Sequence, residues 1–208
     1  MNTAEVKIAA ASTASLIYRP VSFFQPLELA AIFPDPRPLE IELGAGDGTF
    51  LATWATQRPG SNFLGIERLL GRLRKLDRKA RRLGLRNLRL MRIEAGYFLN
   101  YLLPLRSVAA IHVYFPDPWP KRKHRKHRLV NTAFVATAAR VLQPGGRVHL
   151  RTDDADYFAQ MRSVFAASPN FYLIATEPEL LAVKTDFETE FNARGIPTNH
   201  ATYQLVPR

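Results

Sequence analysis

The sequence has no cysteine, which excludes disulfides, thiolate metal sites and cysteine nucleophiles and is compatible with a reducing compartment. It also lacks any run near the roughly 20 apolar residues that span a bilayer. Its N-terminal stretch MNTAEVKIAAASTASLIYRP carries Glu5 and no long apolar core, a poor signal peptide, so a soluble cytoplasmic protein is expected. No Gly/Ser linker and no repeat divides the 208 residues. One domain over 1–208 is therefore predicted, with an irregular or helical lead-in over about 1–36 where Pro20, Pro26, Pro34 and Pro36 interrupt periodicity. Acids are the scarce charge: 18 Asp and Glu stand against 29 Lys and Arg, a formal net charge of +11. Such an excess points to a polyanion partner.

The cations are concentrated. Eleven Lys or Arg lie between Arg68 and Arg92, and six more, with two His, fill Lys121 to Arg128. A single such run is ordinarily a solvated helix face, but two clusters in one small domain favour a binding role. Between and around them, apolar runs alternate with helical patterns. LEIEL (39–43), NFLGIE (62–67), NLRLMRI (87–93), VAAIHVYF (108–115) and RVHLRT (147–152) read as buried parallel strands. Helices are predicted over 48–57, 68–83, 97–102, 129–142 and 155–167. FYLIAT and YQLV (203–206) add two late strands that fit an antiparallel edge hairpin. The pattern predicts an α/β fold with a doubly wound, mostly parallel, seven-stranded sheet.

IELGAGDGTF sets Gly44, Gly46 and Gly48 directly after the first of these strands, where backbone must turn sharply and approach a ligand. A dinucleotide fingerprint would want its third glycine at position 49, which is Thr49; this and the lack of a hydride-relay pair disfavour an NAD-dependent oxidoreductase. Glu42, Glu67 and Glu94 end three successive strands, and open α/β sheets bind ligands at those carboxyl ends. The set reads as an S-adenosylmethionine pocket, with Glu42 near the methionine end, Glu67 on the ribose and Glu94 near the adenine. The fourth strand runs into Pro116-Asp117-Pro118-Trp119, whose prolines stiffen the chain around one carboxylate. Trp119 is expected to pack under the loop, and the Lys121 to Arg128 run, Arg128 included, to grip phosphates. One of Asp153 and Asp154 is expected to cap the following helix.

FPDPWPKRKHRKHRLV, with ELGAGDG, FLGIE, RTDDADY and TDFETEF, resembles the bacterial tRNA (guanine-N7)-methyltransferase family over residues 40 to about 195. The resemblance implies a class I, Rossmann-like methyltransferase fold and methylation of guanine 46 in the tRNA variable loop. It also implies cofactor contacts at Glu42, the glycines, Glu67, Glu94 and Asp117, and a catalytic role for Asp117. Substrate contacts would fall to Lys121, Asp153, Thr185, Asp186, Phe187 and Glu188. Partners would be S-adenosylmethionine and tRNA, with no metal and no membrane, in a monomer or homodimer. The alternatives are a non-catalytic RNA-binding protein on the same scaffold, or a methyltransferase for another RNA guanine. His124 and His127 read as polar spacers, and His112 is given no chemistry.

Overall fold

The computed structural model describes residues 14–207, so residues 1–13 of the expected lead-in, and Arg208, lie outside the described residues. The remainder of the lead-in contains two short elements, β1 (Ile17–Tyr18) and α1 (Leu29–Ile32), in a stretch otherwise kept irregular by its prolines. The chain then alternates: β2 (Leu39–Leu43), α2 (Thr49–Gln57), β3 (Asn62–Ile66), α3 (Leu70–Arg82), β4 (Leu88–Met91) and α4 (Ala95–Tyr97). A π-helical turn over Phe98–Leu102 extends α4. β5 (Val108–Tyr114) is followed by a 3-10 segment over Arg122–His127, then α5 (Thr132–Val141), β6 (Leu142–Thr152) and α6 (Ala155–Ala166). β7 (Phe171–Ile174), α7 (Pro178–Ala182), α8 (Asp186–Ala193) and β8 (Asn199–Leu205) complete the order.

The strands form one sheet in the order β1-β4-β3-β2-β5-β6-β8-β7, parallel except for β8, which runs antiparallel to both neighbours. Two expectations need correcting, the strand count and the start of β6. The sheet has eight strands, because the two residues of β1 pair with Leu90 and Met91 at the edge, too short a run to leave any alternation in the sequence. The late strands form the antiparallel edge pair expected, with β7 outermost and β8 joined to β6 from Arg147 to Thr152. β6 itself begins at Leu142, five residues before the predicted start, with a register irregularity opposite Val108 to Ala110 that accommodates the Pro144-Gly145-Gly146 turn.

All five residues of β3 are buried, as expected of a central parallel strand covered on both faces. One face packs against α2 and α3 through Phe50, Leu51, Trp54, Leu73 and Leu76. The other packs against α5, α6 and the π turn through Phe134, Ala138, Tyr157, Phe165 and Phe98. Between β2 and β5 the winding reverses, since β2 leads outward to β3 and β5 leads the other way to β6. The loops after β2 and β5 therefore open side by side at the carboxyl edge, where open sheets hold ligands. Among the described residues no helix is long and apolar enough to cross a membrane.

Polar side chains cross-link the central strands from inside. Glu40 on β2 accepts the Trp54 indole N–H at 2.9 Å and lies 2.9 Å from His112 Nε2, while His112 Nδ1 is 2.8 Å from the Tyr114 hydroxyl. Burial works against ionisation of Glu40, but the bonds from His112 and Trp54 outweigh it and hold its carboxyl below the usual range. His112 stacks on His149 with ring centroids 4.9 Å apart, and burial pushes the His149 imidazole well below its ordinary value. The fully buried His112 is thus satisfied on both nitrogens.

Gly48 caps α2 with φ of 75°, and an added Cβ would lie 2.1 Å from Leu76 Cδ1, itself fully buried. Gly48→Ala should destabilise the fold by about 2–4 kcal/mol, through left-handed strain plus overpacking. A urea melt giving wild-type stability would contradict the packing described.

Candidate active site

Glu42 is the second-last residue of β2 and points, like Glu40 two residues earlier, toward the α2 layer. It is 3% exposed, and its Oε2 has no hydrogen-bond partner. Burial drives its carboxyl well above the ordinary range; nearby Arg151 opposes the shift and Glu67 adds to it. A buried acceptor left open at a ligand-binding edge is costly unless something cationic or protonic fills it. The adjoining backbone leaves room: Gly44 has φ of 83° and open space where a Cβ would stand.

The other two strand-end acids are already engaged. Glu67, 7% exposed, accepts from Gly46 N at 3.1 Å and Leu69 N at 2.7 Å, tying the glycine loop to the start of α3. Glu94 is exposed and caps α4, accepting from Gly96 N at 2.8 Å and Tyr97 N at 2.7 Å. Ionised carboxylates have about four lone-pair sites, so both keep acceptor capacity toward a ligand. Only Glu42, of these three, has an oxygen with no partner at all.

The loop after β5 is held in an unusual backbone. Phe115 and Trp119 bracket it with φ of 49° and 43°, a left-handed conformation that costs a non-glycine residue about 1–2 kcal/mol. Contacts on both sides enforce it. Phe115 donates its N–H to Arg151 O at 2.8 Å and packs its ring 5.8 Å from Phe191 and 6.3 Å from Phe187, both on α8. At the far end Arg128 Nε donates to Pro118 O at 2.7 Å, and its two terminal nitrogens donate to Gln160 Oε1 at 2.8 Å and Asp156 Oδ2 at 2.7 Å. Asp117 stands between, exposed.

The first turn of α8 joins this loop to the glycine loop. Thr185 caps the helix by accepting Glu188 N at 3.0 Å, and Glu188, 7% exposed, is paired with Arg151 at 2.7 Å. Asp186 accepts the Thr49 hydroxyl at 2.7 Å at the start of α2, and the Phe187 ring lies 5.8 Å beneath the Arg72 guanidinium. Lys121 is exposed at the start of the 3-10 segment. Asp154 caps α6 by accepting Tyr157 N at 2.7 Å, which leaves Asp153 as the acid of that pair not used as a cap.

Three comparisons bear on this arrangement. A family model described as "Putative methyltransferase" matches residues 36–205. A tRNA (guanine-N(7)-)-methyltransferase of Bordetella pertussis is 36% identical over 184 residues, covering 88% of this chain and 71% of that protein. One from Nitrosococcus oceani is 35% identical over 180 residues, covering 86% of this chain and 75% of that protein. The chain belongs to the tRNA (guanine-N7)-methyltransferase family. Its fold is also shared by the 16S rRNA methyltransferase KamB, at a TM-score of 0.64 and 16% identity over 93% of this chain and 99% of that one. The chain thus has a Rossmann-like methyltransferase fold.

Within this family member, the basic run divides in a way its composition hides. Arg128 does not face solvent: it is 1% exposed, with its guanidinium 4.7 Å over the Tyr157 ring. The expectation that it grips phosphate is therefore wrong, because Asp156 and Gln160 on α6 receive its guanidinium. Arg125 turns the same way, 3.0 Å from Asp156 Oδ1. The hydrogen bond from Arg128, assisted by the charge of Arg125, holds the Asp156 carboxyl below its usual range. Lys121, Arg122, Lys123 and Lys126 remain exposed. Trp119 is 38% exposed, with ring centroids 5.2 Å from His127 and 5.9 Å from His124, so it packs on the imidazoles of the run.

The roles of two residues that matter here are not visible in the sequence analysis. Arg151 is buried, paired with Glu188 and stacked 4.5 Å over the Tyr114 ring. Its signal was available: an arginine inside RVHLRT, a strand buried on both faces, needs an internal partner. Arg128 left no such trace, being one cation among six. Arg128→Met should leave Pro118 O and Gln160 without donors and relax the strained loop, costing about 2–3 kcal/mol. Turnover is expected to fall by more than an order of magnitude with cofactor affinity unchanged, and Arg128→Lys to recover part of it. Equal losses of cofactor affinity and turnover would contradict a role confined to the loop.

Proposed function

We propose that the protein transfers a methyl group from S-adenosylmethionine to N7 of a guanine in tRNA, guanine 46 of the variable loop. The observation that carries the reading is the buried Glu42 carboxylate, its Oε2 unpartnered, behind the glycine loop and beside a braced loop that presents Asp117 and continues into exposed cations. When bound, the cofactor supplies an electrophilic methyl on sulfur, which the free lone pair of guanine N7 accepts while the C–S electron pair stays on sulfur.

The chain's residues divide the remaining tasks. Glu42 accepts from the ammonium of the cofactor's amino-acid portion, filling its open oxygen. Glu67 offers lone pairs to ribose hydroxyls, and Glu94 does so toward the adenine amino group. Gly44, Gly46 and Gly48 let the backbone approach. N7 carries no proton, so no base is needed before transfer and positioning is most of the catalysis. Asp117 steadies the guanine by accepting from its N1–H and 2-amino edge, and its negative charge favours the cation that develops on the purine. Thr185, Asp186, Phe187 and Glu188 border the substrate from α8, with Asp153 beside them. Lys121 and the exposed cations after it hold phosphates, which positions the RNA without reading its sequence.

The test is methyl transfer from labelled cofactor to an unmodified tRNA transcript, followed by nuclease digestion. Label in 7-methylguanosine is the expected result. Label in another nucleoside, or none with tRNA bound, would overturn the reading.

A further inference from the structure

Helix α3 carries seven cations in its 13 residues, Arg72, Arg74, Lys75, Arg78, Lys79, Arg81 and Arg82, and a single acid, Asp77. That acid is turned inward: it is 6% exposed and accepts Leu16 N at 2.7 Å. Lys75, Arg78, Lys79 and Arg82 follow the i, i+3, i+4, i+7 spacing that brings side chains onto one face of a helix. Like charges four apart destabilise a helix by a few tenths of a kcal/mol per pair, about 0.2–0.5. A merely solvated face would relieve that repulsion with interspersed carboxylates, and this face has none.

The four cations line one wall of a furrow of about 600 Å³. The opposite wall is α2, where Thr49, Ala52 and Thr53 contribute only short side chains, so the furrow stays open. Two of the cations are fixed in place: Lys75 lies 3.1 Å from Asp47, and Lys79 donates to the Thr49 hydroxyl at 2.6 Å. Arg78 and Arg82 are exposed, with no ion pair among the described residues. Among the described residues no carboxylate is part of the furrow's lining, and Asp47 and Asp186 reach only Lys75 and Thr49. Ammonium groups held in place and free guanidinium groups along an open groove match the chemistry of successive phosphodiesters.

We propose that the furrow between α2 and α3 is a second RNA-backbone site, separate from the cations that follow Asp117; the proposal rests on the reading of the protein as an RNA methyltransferase. Its position gives it a specific consequence. α2 and α3 cover one face of the sheet, and α5 and α6, which follow the 3-10 segment, cover the other. An RNA with its target base at the reversal between β2 and β5 would reach both layers only by straddling the carboxyl edge. That requires a folded RNA offering two backbone segments, and a lone hairpin satisfies only one. The furrow therefore selects for tertiary structure.

The experiment compares wild-type protein with Arg78→Glu/Arg82→Glu and the milder Arg78→Gln/Arg82→Gln, after thermal melts confirm that each folds. Binding of a full tRNA transcript and of a short hairpin carrying the variable-loop sequence is measured across salt concentrations. The Glu pair should lose at least tenfold in affinity for tRNA. Its log affinity against log salt should flatten by about 1.5, as expected for two lost phosphate contacts. Cofactor and hairpin affinity should stay unchanged, with the Gln pair intermediate on tRNA. Wild-type tRNA affinity and salt slope in the Glu pair would overturn the furrow alone. Failure of the wild-type protein to methylate tRNA would instead remove the reading on which it rests.

Discussion

Glu42→Gln should abolish useful cofactor binding and at the same time make the protein more stable when no cofactor is added. The two effects have one origin. In the structure the carboxylate is buried with one oxygen unpartnered, and burial holds its pKa well above the ordinary value. The sign follows by linkage: the folded state binds this proton more tightly than the unfolded chain, so the group's contribution is fully present below the unfolded pKa. It is lost as pH rises through the raised folded pKa. Glutamine cannot ionise, so the variant escapes that loss and should melt higher near neutral pH, by about 2–4 °C for each kcal/mol regained. It also offers no charge to an ammonium, and leaving a buried charge without its partner weakens binding by about 2–5 kcal/mol, or roughly 30-fold and more. For the wild type, affinity for S-adenosylmethionine should rise with pH above the ordinary glutamate range, because binding expels the proton. Titration calorimetry in buffers of different ionisation enthalpy reads that proton directly. Binding without proton release, together with a Gln variant that binds within threefold of wild type, would contradict the assignment.

Asp117→Asn should reduce turnover by about 100-fold or more while leaving cofactor affinity within threefold, as expected when one preorganised charge at the reacting centre is removed. The substitution keeps shape, removes the charge and turns one acceptor oxygen into an N–H donor, while the braces at Phe115 and Pro118 stay intact. A second measurement isolates the base edge. A tRNA with inosine at the target lacks the 2-amino group, and it should be a poorer substrate for wild type but no poorer than guanine for the Asn variant. Near-normal turnover by Asp117→Asn would sink the catalytic role. An inosine penalty equal in both proteins would place the contact elsewhere.

The features legible in the sequence are those whose cause is local. LEIEL and NFLGIE are short apolar runs bounded by turn residues, and they form the strands expected, the second ending one residue earlier. The glycines are read from the sharp turn they permit, and Asp154 from the N-terminus of the helix it caps. What stayed hidden depends on partners far along the chain. Arg128 reads as part of a charged surface until α6 brings Asp156 and Gln160 to it across about 30 residues of sequence. No helix is predicted over TDFETEF, yet its acids open α8, because Thr185 caps it and Arg151 on β6 neutralises Glu188. The strand-end acids show the same limit from the other side. Position in sequence made Glu42, Glu67 and Glu94 equivalent, whereas the fold leaves only the first with an open oxygen.

The most direct test of the proposed activity is chemical mapping of the product. Unmodified tRNA is incubated with the protein and S-adenosylmethionine, then treated with borohydride and aniline, which break the chain at 7-methylguanosine. One cofactor-dependent cut is predicted, at guanine 46 in the variable loop, and it should be absent with Asp117→Asn. No cut, or cuts at other guanines, would contradict it.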